Sequence, residues 1–563
     1  MPFERIRFSW KKILRPGALW AVISGMVTAA AAMYSQIAWL AWISLIPYFI
    51  TLYQYTDPES GKRHLFRTGF LFGYSYCVPL ASFLYALYPM DVAGIGPLGS
   101  VFIILLGQFG ATIFYSLPHG LLPCVLRLLR KRRAWGRRSM MHPLSIAALW
   151  VLAEWCQSQT WLGMPWVRLA ATQYRLTPLI QSASLLGSYF VSFVMVLFNA
   201  LLALFLYSCF FSEDMASGKR GKLSFLARSA PRASVHERRD VRKVCPLLCA
   251  AVLFAGNLIY GLAALNTEHE SSETISVAIV QGNVSSSEKW EGNSNLLLLE
   301  HYLSMTKEAS EDEETDLIVW TEGCLPFYLN KYAEPILMIQ DAAMESGAVI
   351  LVGALYQDES DDVYNAVYAF YPDGTVGSQP YFKRKLVPFG EYLPLEDFLK
   401  SVLPILDEIN LLGSSLTPGS DSNLFSTDFG MIGGLVCFDS LYEEPAFSSV
   451  RDGAELLALL SNDTWFDNSY GVYKLLAHSV LRAVENGRCI VRGANTGISA
   501  VIDANGRITA ESQPQEEEVI RGEAEIYSCR TLYSYVGNIW LLFCLLYVLV
   551  LLIPFKRTKK LSS

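Results

Sequence analysis

Long apolar runs dominate both ends of the chain, and a segment of mixed pattern separates them. A membrane-spanning helix needs about 20 apolar residues. Runs of this kind predict about eight spans, at residues 18–34, 36–53, 68–88, 98–126, 144–166, 179–209, 245–265 and 535–555. The pattern therefore predicts a membrane domain with seven transmembrane helices over residues 1–265. A last transmembrane helix and a basic tail follow over residues 534–563.

The segment between the last two spans, residues 266–533, alternates between strand and helix patterns. Short apolar runs that end at polar residues predict strands, and these are ISVAIVQ, DLIVWTE, AVILVGAL, MIGGLVCF, LLALLSN and CIVRGAN. Apolar residues at helical spacing over 472–487 predict a helix that Gly487 ends. Near-continuous apolar strands that alternate with helices are typical of sheets covered by helices. We therefore expect residues 266–533 to form a separate α/β domain.

Composition agrees with a membrane protein that carries a soluble domain. Hydrophobic residues make up 52% and charged residues 17% of the 563 residues, whereas ordinary soluble domains have about 25% charged residues. The 11 cysteines include no C-x-x-C pair and no Cys/His cluster at the spacing of metal ligands. We therefore expect neither a metal site nor a disulfide framework.

Lysine and arginine are concentrated in the loops on one side of the predicted bundle. They precede the first span, follow the second and fourth, fill the loop 211–243 and end the chain, whereas the loop YPMDVAGIGPLG has none. Basic loops stay in the cytoplasm, so we expect cytoplasmic termini and an extracytoplasmic domain over 266–533. Beside membrane spans, basic runs indicate topology rather than a nucleic-acid partner. A domain on that side has no ATP, NADH or acyl-CoA to draw on.

Three predicted strand ends carry side chains that could form a nucleophilic site. Glu322 ends one strand, Lys383 and Lys385 lie in YFKRKLVPFGEYLP, and Cys437 ends GGLVCFD. A cysteine nucleophile needs its proton removed and its thiolate stabilised, for which a carboxylate and a lysine are suitable. A lone cysteine is more often a packing residue. Strand periodicity cannot choose between Lys383 and Lys385, because both point to the same face.

These residues stand in motifs that resemble the nitrilase superfamily, and most closely its apolipoprotein N-acyltransferase family. The motifs are spread over nearly the whole chain, and they are VQGNVSSSEKW, VWTE, YFKRKLVPFGEYLPLE, VCFD, SNDTWF, GANTGISAVID and, in the membrane part, LAEWCQSQTWLGMPW. The resemblance implies a multi-span α-helical membrane bundle of about eight transmembrane helices with an extracytoplasmic αββα nitrilase-like sandwich. It also implies a place in the bacterial inner membrane.

The resemblance assigns roles to individual residues. A base, an oxyanion-holding lysine, a nucleophile, a supporting carboxylate and a substrate-loop tryptophan are implied at Glu322, Lys383, Cys437, Glu391 and Trp290, in that order. The family often has Cys-Tyr-Glu where this chain has Cys437-Phe438-Asp439. Phe438 therefore lacks a hydroxyl, and the acid at Asp439 is one methylene shorter. The other cysteines of the domain, Cys324, Cys489 and Cys529, are interpreted as packing residues.

The implied reaction is the last step of bacterial lipoprotein maturation. A phospholipid donates an acyl chain to the N-terminal diacylglyceryl-cysteine of an apolipoprotein, by a ping-pong path through a thioester on Cys437. Glu322 would take the thiol proton, and Lys383 with the backbone N–H of Phe438 would hold the oxyanion. The donor ester already carries an activated acyl group, so no cofactor is expected. We expect the chain to act as a monomer.

Two other functions compete with this interpretation. A membrane-anchored amidase or nitrilase acting on a small C–N substrate would keep the same triad, although one span would be enough to anchor it. A multi-span transporter or receptor would make Cys437 dispensable. In the membrane part, Glu154 is either a functional acid or one half of a helix–helix hydrogen bond. The sequence TWLGMPW (160–166) predicts an outer-face turn whose tryptophans lie at the membrane interface and which lines the lipid entrance.

Overall fold

The computed structural model describes residues 16–56, 64–90, 95–133, 139–159, 163–210, 241–267, 271–285, 289, 295–311, 314–396, 401, 415–467 and 469–553. Trp290, most of the basic loop 211–243 and the basic tail lie outside these residues. The α-helices of the N-terminal half are α1 Pro16–Met33, α2 Ile46–Tyr55, α3 Leu65–Leu80, α4 Pro97–Arg133, α5 Met141–Gln157, α6 Thr177–Ile180, α7 Ala183–Leu186, α8 Ser188–Phe210 and α9 Val241–Leu265.

Most of the predicted spans correspond to apolar helices. Five stretches of the described chain are long and apolar enough to cross a membrane, and these are Ser35–Tyr55, Leu65–Leu87, Pro97–Arg133, Ser188–Cys209 and Val244–Leu265. Gly17–Met33 and Ile539–Leu552 are shorter apolar helices. The predicted span 179–209 begins only at Ser188, because Gly187, with φ 81°, ends α7 in a conformation that favours glycine.

The predicted span 144–166 is the other exception. It corresponds to α5, which ends at Gln157. Met164 is extended, as expected for a residue that precedes a proline, and a short 3₁₀ helix follows at Pro165–Val167. Residues 163–173 therefore do not continue the helix, and they bring Arg168 into the interior of the protein, where it is 1% exposed.

The second half of the chain forms two sheets. Its strands are β1 Glu273–Gln281, β2 Leu317–Val319, β3 Leu325–Tyr328, β4 Val349–Gln357, β5 Val363–Phe370, β6 Tyr381–Phe382, β7 Leu424–Thr427, β8 Gly430–Val436, β9 Leu456–Ser461, β10 Ile490–Ala494, β11 Ala500–Ile502, β12 Ile508–Glu511 and β13 Glu518–Ile526. One sheet has the order β13-β1-β2-β4-β5-β6 with β3 beside β4, and the other has the order β12-β11-β10-β9-β8-β7. All six predicted strands are present. The centre of each sheet is parallel, through β1-β2-β4 and β8-β9-β10.

Helices cover the outer face of each sheet. They are α10 Asn295–Glu311, α11 Ala333–Ser346, α12 Glu443–Asp452 and α13 Tyr470–Asn486. The short helix α14 Leu532–Val536 packs on α7, α12 and α13, and the apolar helix α15 Ile539–Leu552 packs on α4, α5 and α8 of the bundle. On β9, Leu456, Ala458 and Leu460 point into the core between the sheets, whereas Leu457 and Leu459 point towards the helices. The layers are therefore helix, sheet, sheet, helix, as the resemblance implies.

Helix α13 joins the sandwich to the membrane bundle. The predicted helix at 472–487 is confirmed as α13, and Gly487 ends it with φ 62°. Nearly all of its residues are buried, as expected for a helix with packing on every side. One hydrophobic core runs from residues of α5 and α8 through α13 to β9. The bundle and the sandwich therefore share a continuous interface, which we call the seam.

Candidate active site

The backbone places Cys437 in a tight turn at the end of β8. Cys437 has φ 43° and begins a 3₁₀ helix, Cys437–Leu441. A residue other than glycine pays about 1–3 kcal/mol for such a conformation and keeps it only where its surroundings enforce it. Here the Asp439 carboxylate accepts hydrogen bonds from the Val436 N–H (3.0 Å) and the Tyr381 hydroxyl (2.8 Å). Asp439 therefore fixes the turn through Val436, the residue before Cys437, and through Tyr381 of β6.

Lys383 follows β6 and lies between two carboxylates. Its ammonium donates to Glu322 Oε1 at 2.8 Å and to Glu391 Oε1 at 2.7 Å. The side-chain amide of Asn365, on β5, donates to the same two oxygens at 2.8 Å and 3.3 Å. Both carboxylates thus face one shared cation, and Lys383 is held in one position.

The second oxygen of each carboxylate is also fixed. Glu322 Oε2 accepts the backbone N–H of Asn462 at 2.7 Å, and Glu391 Oε2 accepts that of Val387 at 2.8 Å. Asn462 follows β9, and Glu322 lies just beyond β2. The site thus forms where the carboxyl ends of parallel strands from both sheets meet, which is a common place for ligand sites in α/β proteins.

Electrostatics sets the resting protonation states of Cys437 and Lys383. Burial raises the pKa of the Cys437 thiol, Glu322 raises it further and Lys383 opposes them. Burial alone would lower the pKa of Lys383, but Glu322 and Glu391 raise it well above its ordinary value. The site therefore rests as a protonated thiol beside a charged ammonium. A thiol in this state would need a base to remove its proton before it could act as a nucleophile.

Asp439 organises the segment that carries Lys383. Its Oδ1 accepts the backbone N–H groups of Arg384 (3.2 Å) and Lys385 (2.8 Å). With Val436 and Tyr381, this carboxylate receives four hydrogen bonds. Burial raises its pKa to about 6, although these donors and Lys383 favour the charged form. The shorter acid thus links the cysteine turn to the lysine strand.

The structure separates the two lysines that strand periodicity left equivalent. Lys383 is 1% exposed and lies in the site. The Lys385 side chain is about one-third exposed and pairs with Glu444 at 3.1 Å. Phe438 is buried and packs edge-on against Tyr442 with ring centroids 5.6 Å apart. No position is described for Trp290.

Several residues near the site were not anticipated from the sequence. Asn365 interrupts an apolar strand and is 7% exposed. An amide inside an otherwise apolar strand pattern is the sequence feature that could have indicated its role, because a buried amide needs hydrogen-bond partners. A fully buried ion pair joins Asp463 Oδ2 to Arg492 at 2.6 Å, and Ser461, beside Cys437, donates to the other oxygen of Asp463 at 2.6 Å. Lys289 is also buried, and burial lowers its pKa to about 8.

Other predictions of single residues have mixed outcomes. Cys324 and Cys489 are buried, as predicted, whereas Cys529 is exposed, so its interpretation as a packing residue is wrong. Among the residues that the structure describes, no group of three or more His, Cys, Asp and Glu side chains could hold a metal ion. Trp166 is 1% exposed, stacks against Phe466 at 5.6 Å and donates to the Leu80 carbonyl at 2.8 Å. The prediction that Trp166 lies at the membrane interface is therefore wrong, and Trp161 of the same motif lies outside the described residues.

A second group of buried charges crosses the seam. Glu443, the first residue of α12, accepts a hydrogen bond from Arg168 and lies 3.6 Å from Arg482. Arg482 pairs with Glu485 at 2.8 Å, and Glu154 lies 3.6 Å from Arg168. Burial would raise the pKa of Glu443, but the two arginines bring it below its ordinary value. We call the five residues Glu154, Arg168, Glu443, Arg482 and Glu485 the seam network.

A cavity lies beside the site on the side of the bundle. Its volume is about 550 Å³, within the range of small-molecule sites. The sandwich contributes Arg384 and Lys385, which follow Lys383, together with Tyr442. The bundle contributes Trp155 and Tyr189. The cavity thus combines cationic and aromatic walls next to the segment that begins at Cys437.

Comparisons with known proteins cover both parts of the chain. The model of the carbon-nitrogen hydrolase family matches residues 276–532, and that of the apolipoprotein N-acyltransferase N-terminal domain matches residues 24–201. An apolipoprotein N-acyltransferase of Geobacter metallireducens is 30% identical over 550 residues, which are 97% of this chain and 96% of that protein. One of Pseudomonas syringae is 29% identical and covers 90% of both chains.

Among solved structures, a Saccharomyces cerevisiae member of branch 10 of the nitrilase superfamily is 22% identical to this chain. It covers 46% of this chain and 93% of its own, with a TM-score of 0.36. The relative from Geobacter metallireducens matches almost from end to end, through the helical half and the sandwich alike. This chain therefore belongs to the apolipoprotein N-acyltransferase family.

Proposed function

We propose that this chain transfers an acyl chain from a membrane phospholipid to the N-terminal amine of a diacylglyceryl-cysteine lipoprotein, through a thioester on Cys437. N-acylation of apolipoproteins is the activity of the family to which the chain belongs, and the enzyme is an acyltransferase. The observation that carries the mechanism is the cluster of Glu322, Lys383 and Glu391 around the turn of Cys437.

In the first half-reaction, Glu322 accepts the thiol proton and the sulfur attacks the ester carbonyl of the phospholipid. The Lys383 ammonium stabilises the oxyanion, together with the backbone N–H of Phe438. The carbonyl re-forms as the bond to the glycerol oxygen breaks, and that oxygen takes the proton from Glu322. Lysophospholipid leaves, and the acyl chain stays on Cys437 as a thioester.

In the second half-reaction, the lipoprotein amine attacks the thioester. Glu322 removes a proton from the amine, Lys383 again stabilises the oxyanion, and the proton returns to the sulfur of Cys437 as the amide forms. Glu391 and Asn365 keep Lys383 and Glu322 aligned in both steps, and Asp439 holds the cysteine turn. No added cofactor is needed for this balance of atoms.

The location follows from the positive-inside rule and the seam. We place the sandwich, residues 266–533, on the extracytoplasmic side of the inner membrane, with both termini cytoplasmic and the chain acting as a monomer. The cavity of about 550 Å³ beside the site then opens between the bundle and the sandwich. This arrangement would let the phospholipid reach Cys437 from the bilayer, and Arg384 and Lys385 would face its phosphate.

Intact-mass spectrometry of the purified chain with phospholipid tests this proposal. We expect a mass increase of one acyl chain, absent from Cys437→Ala and retained in Cys489→Ala, which removes another buried thiol of the same domain. Addition of a diacylglyceryl-cysteine peptide should discharge the adduct and yield the N-acylated peptide. An adduct that survives Cys437→Ala, or full acylation by that variant, would contradict the proposal. Hydrolysis of a small amide without any phospholipid adduct would favour an amidase.

A further inference from the structure

A second cavity lies in the seam, apart from the residues that surround Cys437. Its volume is about 370 Å³. Residues 32–36, at the end of α1, form one wall, Thr172 and Tyr174 form another, and α13 closes it with Tyr470 and Lys474. Neither the cysteine turn nor its charged partners line this cavity. Acyl transfer as proposed above therefore does not account for it.

Lys474 supplies this cavity with a buried amine that has no matching acid. It is 2% exposed, and it makes no hydrogen bond or ion pair with any residue of the described ranges. Burial lowers its pKa to about 7, Arg168 adds to the effect and Glu154 opposes it. A buried ammonium without a partner is costly, so an anion in the cavity would stabilise it strongly.

Tyr470 also lines this cavity. Its hydroxyl is buried and has no hydrogen-bond partner within the described part of the chain. Tyr470 and Lys474 are four residues apart on α13, so both lie on one face of the helix. A tyrosine hydroxyl and a lysine ammonium on the same face of a helix are both donors from which a compact anion can accept hydrogen bonds.

The position of the cavity limits what that anion can be. It adjoins the end of the apolar helix α1, where Tyr34 is 57% exposed and Trp39 is 54% exposed. Exposed aromatic residues at the end of an apolar helix are typical of the level of the lipid headgroups. At that level the abundant compact anion is phosphate, which lysine binds as a point charge.

We propose that this cavity is a binding site for a phosphate group, which Lys474 and Tyr470 hold and which comes either from a phospholipid headgroup or from free phosphate. The site is separate from the acyl-transfer site and does not depend on its chemistry. A bound phosphate would bridge α13 to the end of α1, and so would fasten the sandwich to the bundle at a second point besides the seam network.

Binding to the full chain in detergent micelles tests the proposal. Cys437→Ala serves as the background, so that no acyl transfer consumes the lipid. The probes are inorganic phosphate, dihexanoyl phosphatidylglycerol and the uncharged dihexanoylglycerol, each followed by calorimetry. We expect Lys474→Met to weaken phosphate or phosphatidylglycerol binding about tenfold or more, and Tyr470→Phe to weaken it less. Lys307→Met, at an exposed lysine of α10, is the matched control and should bind as the background does.

The outcomes distinguish free phosphate from a phospholipid headgroup, and both from the absence of a phosphate site. Binding of inorganic phosphate that Lys474→Met weakens indicates a free-anion site. Binding of phosphatidylglycerol alone, weakened in the same way, indicates a headgroup site. Absence of binding by either probe, or affinities equal in Lys474→Met and the background, overturns the proposal. None of these outcomes depends on whether Cys437 forms a thioester.

A labelling experiment on the unmutated chain covers the case in which Lys474→Met does not fold. Pyridoxal phosphate, which carries both an amine-reactive aldehyde and a phosphate, is added and the imine is reduced with borohydride. Peptide mapping should find the label on Lys474, and saturating phosphate or phosphatidylglycerol should reduce it at least about tenfold. A label spread over exposed lysines and absent from Lys474, or one that neither competitor reduces, contradicts the proposal.

Discussion

The active-site cluster, which comprises Glu322, Lys383, Glu391 and Cys437, and the seam network both include residues of the short segment 437–443. The central charge of one is opposite to that of the other. At the start of this segment, Cys437 lies beside Lys383, a cation between the carboxylates of Glu322 and Glu391. At its end, Glu443 is an anion between the guanidinium groups of two arginines. Both central groups are more than nine-tenths buried. Only the first cluster has a thiol beside its fixed charges, so buried charge by itself does not identify a candidate catalytic site.

The difference lies in what the fixed charges act on. In the first cluster, the fixed charges surround a thiol that a strained turn presents, and the proposed reaction requires the proton of that thiol to move. In the seam network, Arg168 from the bundle binds Glu443 from the sandwich, and no group in it changes its bonds. We therefore expect substitution of the central residue to affect mainly the reaction rate in one cluster and mainly stability in the other.

The largest effect on stability is expected for Glu443→Gln. The substitution leaves Arg168 and Arg482 buried without their shared counter-charge, and breaking a buried pair costs about 3–5 kcal/mol. Thermal and denaturant unfolding in micelles should show this loss. Glu444→Gln is the matched control, because the neighbouring Glu444 is about half exposed and pairs with Arg384 and Lys385 at the surface. It should lose about 0–1 kcal/mol, and equal losses in the two variants would contradict the role of the seam network.

The largest effect on rate among the charged residues is expected for Lys383→Met. Loss of one oxyanion donor lowers the rate about 10²–10³-fold, and the variant also leaves two carboxylates without their cation. Acylation of a lipoprotein peptide and the acyl adduct on Cys437 report the loss. Lys307→Met, at an exposed lysine of α10 that does not line the cavity, should stay within about threefold of the unmutated rate. A similar loss in both variants would mean that the buried position of Lys383 is not what matters.

The sequence predicts the sandwich and the active-site cluster better than it predicts the seam. Strands such as β9 carry period-two patterns that the core requires, so their positions can be read locally. Glu322, Lys383, Glu391 and Cys437 lie at strand ends or in motifs, and the structure brings all four together.

The residues of the seam lack such a local signal. Arg168 stands in an apolar run, and its partner Glu443 is 275 positions further along the chain, so their pairing depends on how two domains dock. The predicted span 179–209 begins before α8 because the run contains no charged residue, although Gly187 breaks the helix. The prediction that Trp166 lies at the membrane interface fails for a similar reason, since an apolar residue beside a bilayer and one inside a domain interface look alike in the sequence.

Asp439 lies between the two clusters. We expect it to have a smaller effect on stability, and one that depends on pH. Burial raises its pKa in the folded chain to about 6, above about 3.9 in the unfolded chain. The folded state therefore binds this proton more tightly, and the contribution of Asp439 to stability falls as the pH rises from about 4 through 6. Between pH 5 and pH 7 the unmutated chain should lose roughly 1 kcal/mol relative to Asp439→Asn, which has no proton to bind there.

Unfolding of both proteins at the two pH values measures this difference, so that groups common to both cancel. Asp439→Asn is expected to be the less stable protein at each pH, because its amide nitrogen would face N–H donors that the carboxylate now accepts. A difference that stays constant between pH 5 and pH 7, or that changes in the opposite direction, would contradict the burial of an ionisable acid at this position.

Glu154→Gln, at the membrane end of the seam network, should have the smallest effect on stability. It tests whether the seam network only stabilises the protein or also takes part in the reaction. Both Trp150 Nε1 and the Leu169 N–H donate to Glu154 Oε1 at 2.9 Å, and a glutamine oxygen can accept both bonds. Arg168 keeps its bond to Glu443, so we expect a loss of about 0.5–1 kcal/mol, typical of hydrogen bonds between membrane helices. Acylation should continue at nearly the unmutated rate. If Glu154→Gln instead abolished acylation while the chain stayed folded, Glu154 would be a functional acid, and the seam network would take part in the reaction rather than only fasten the sandwich to the bundle.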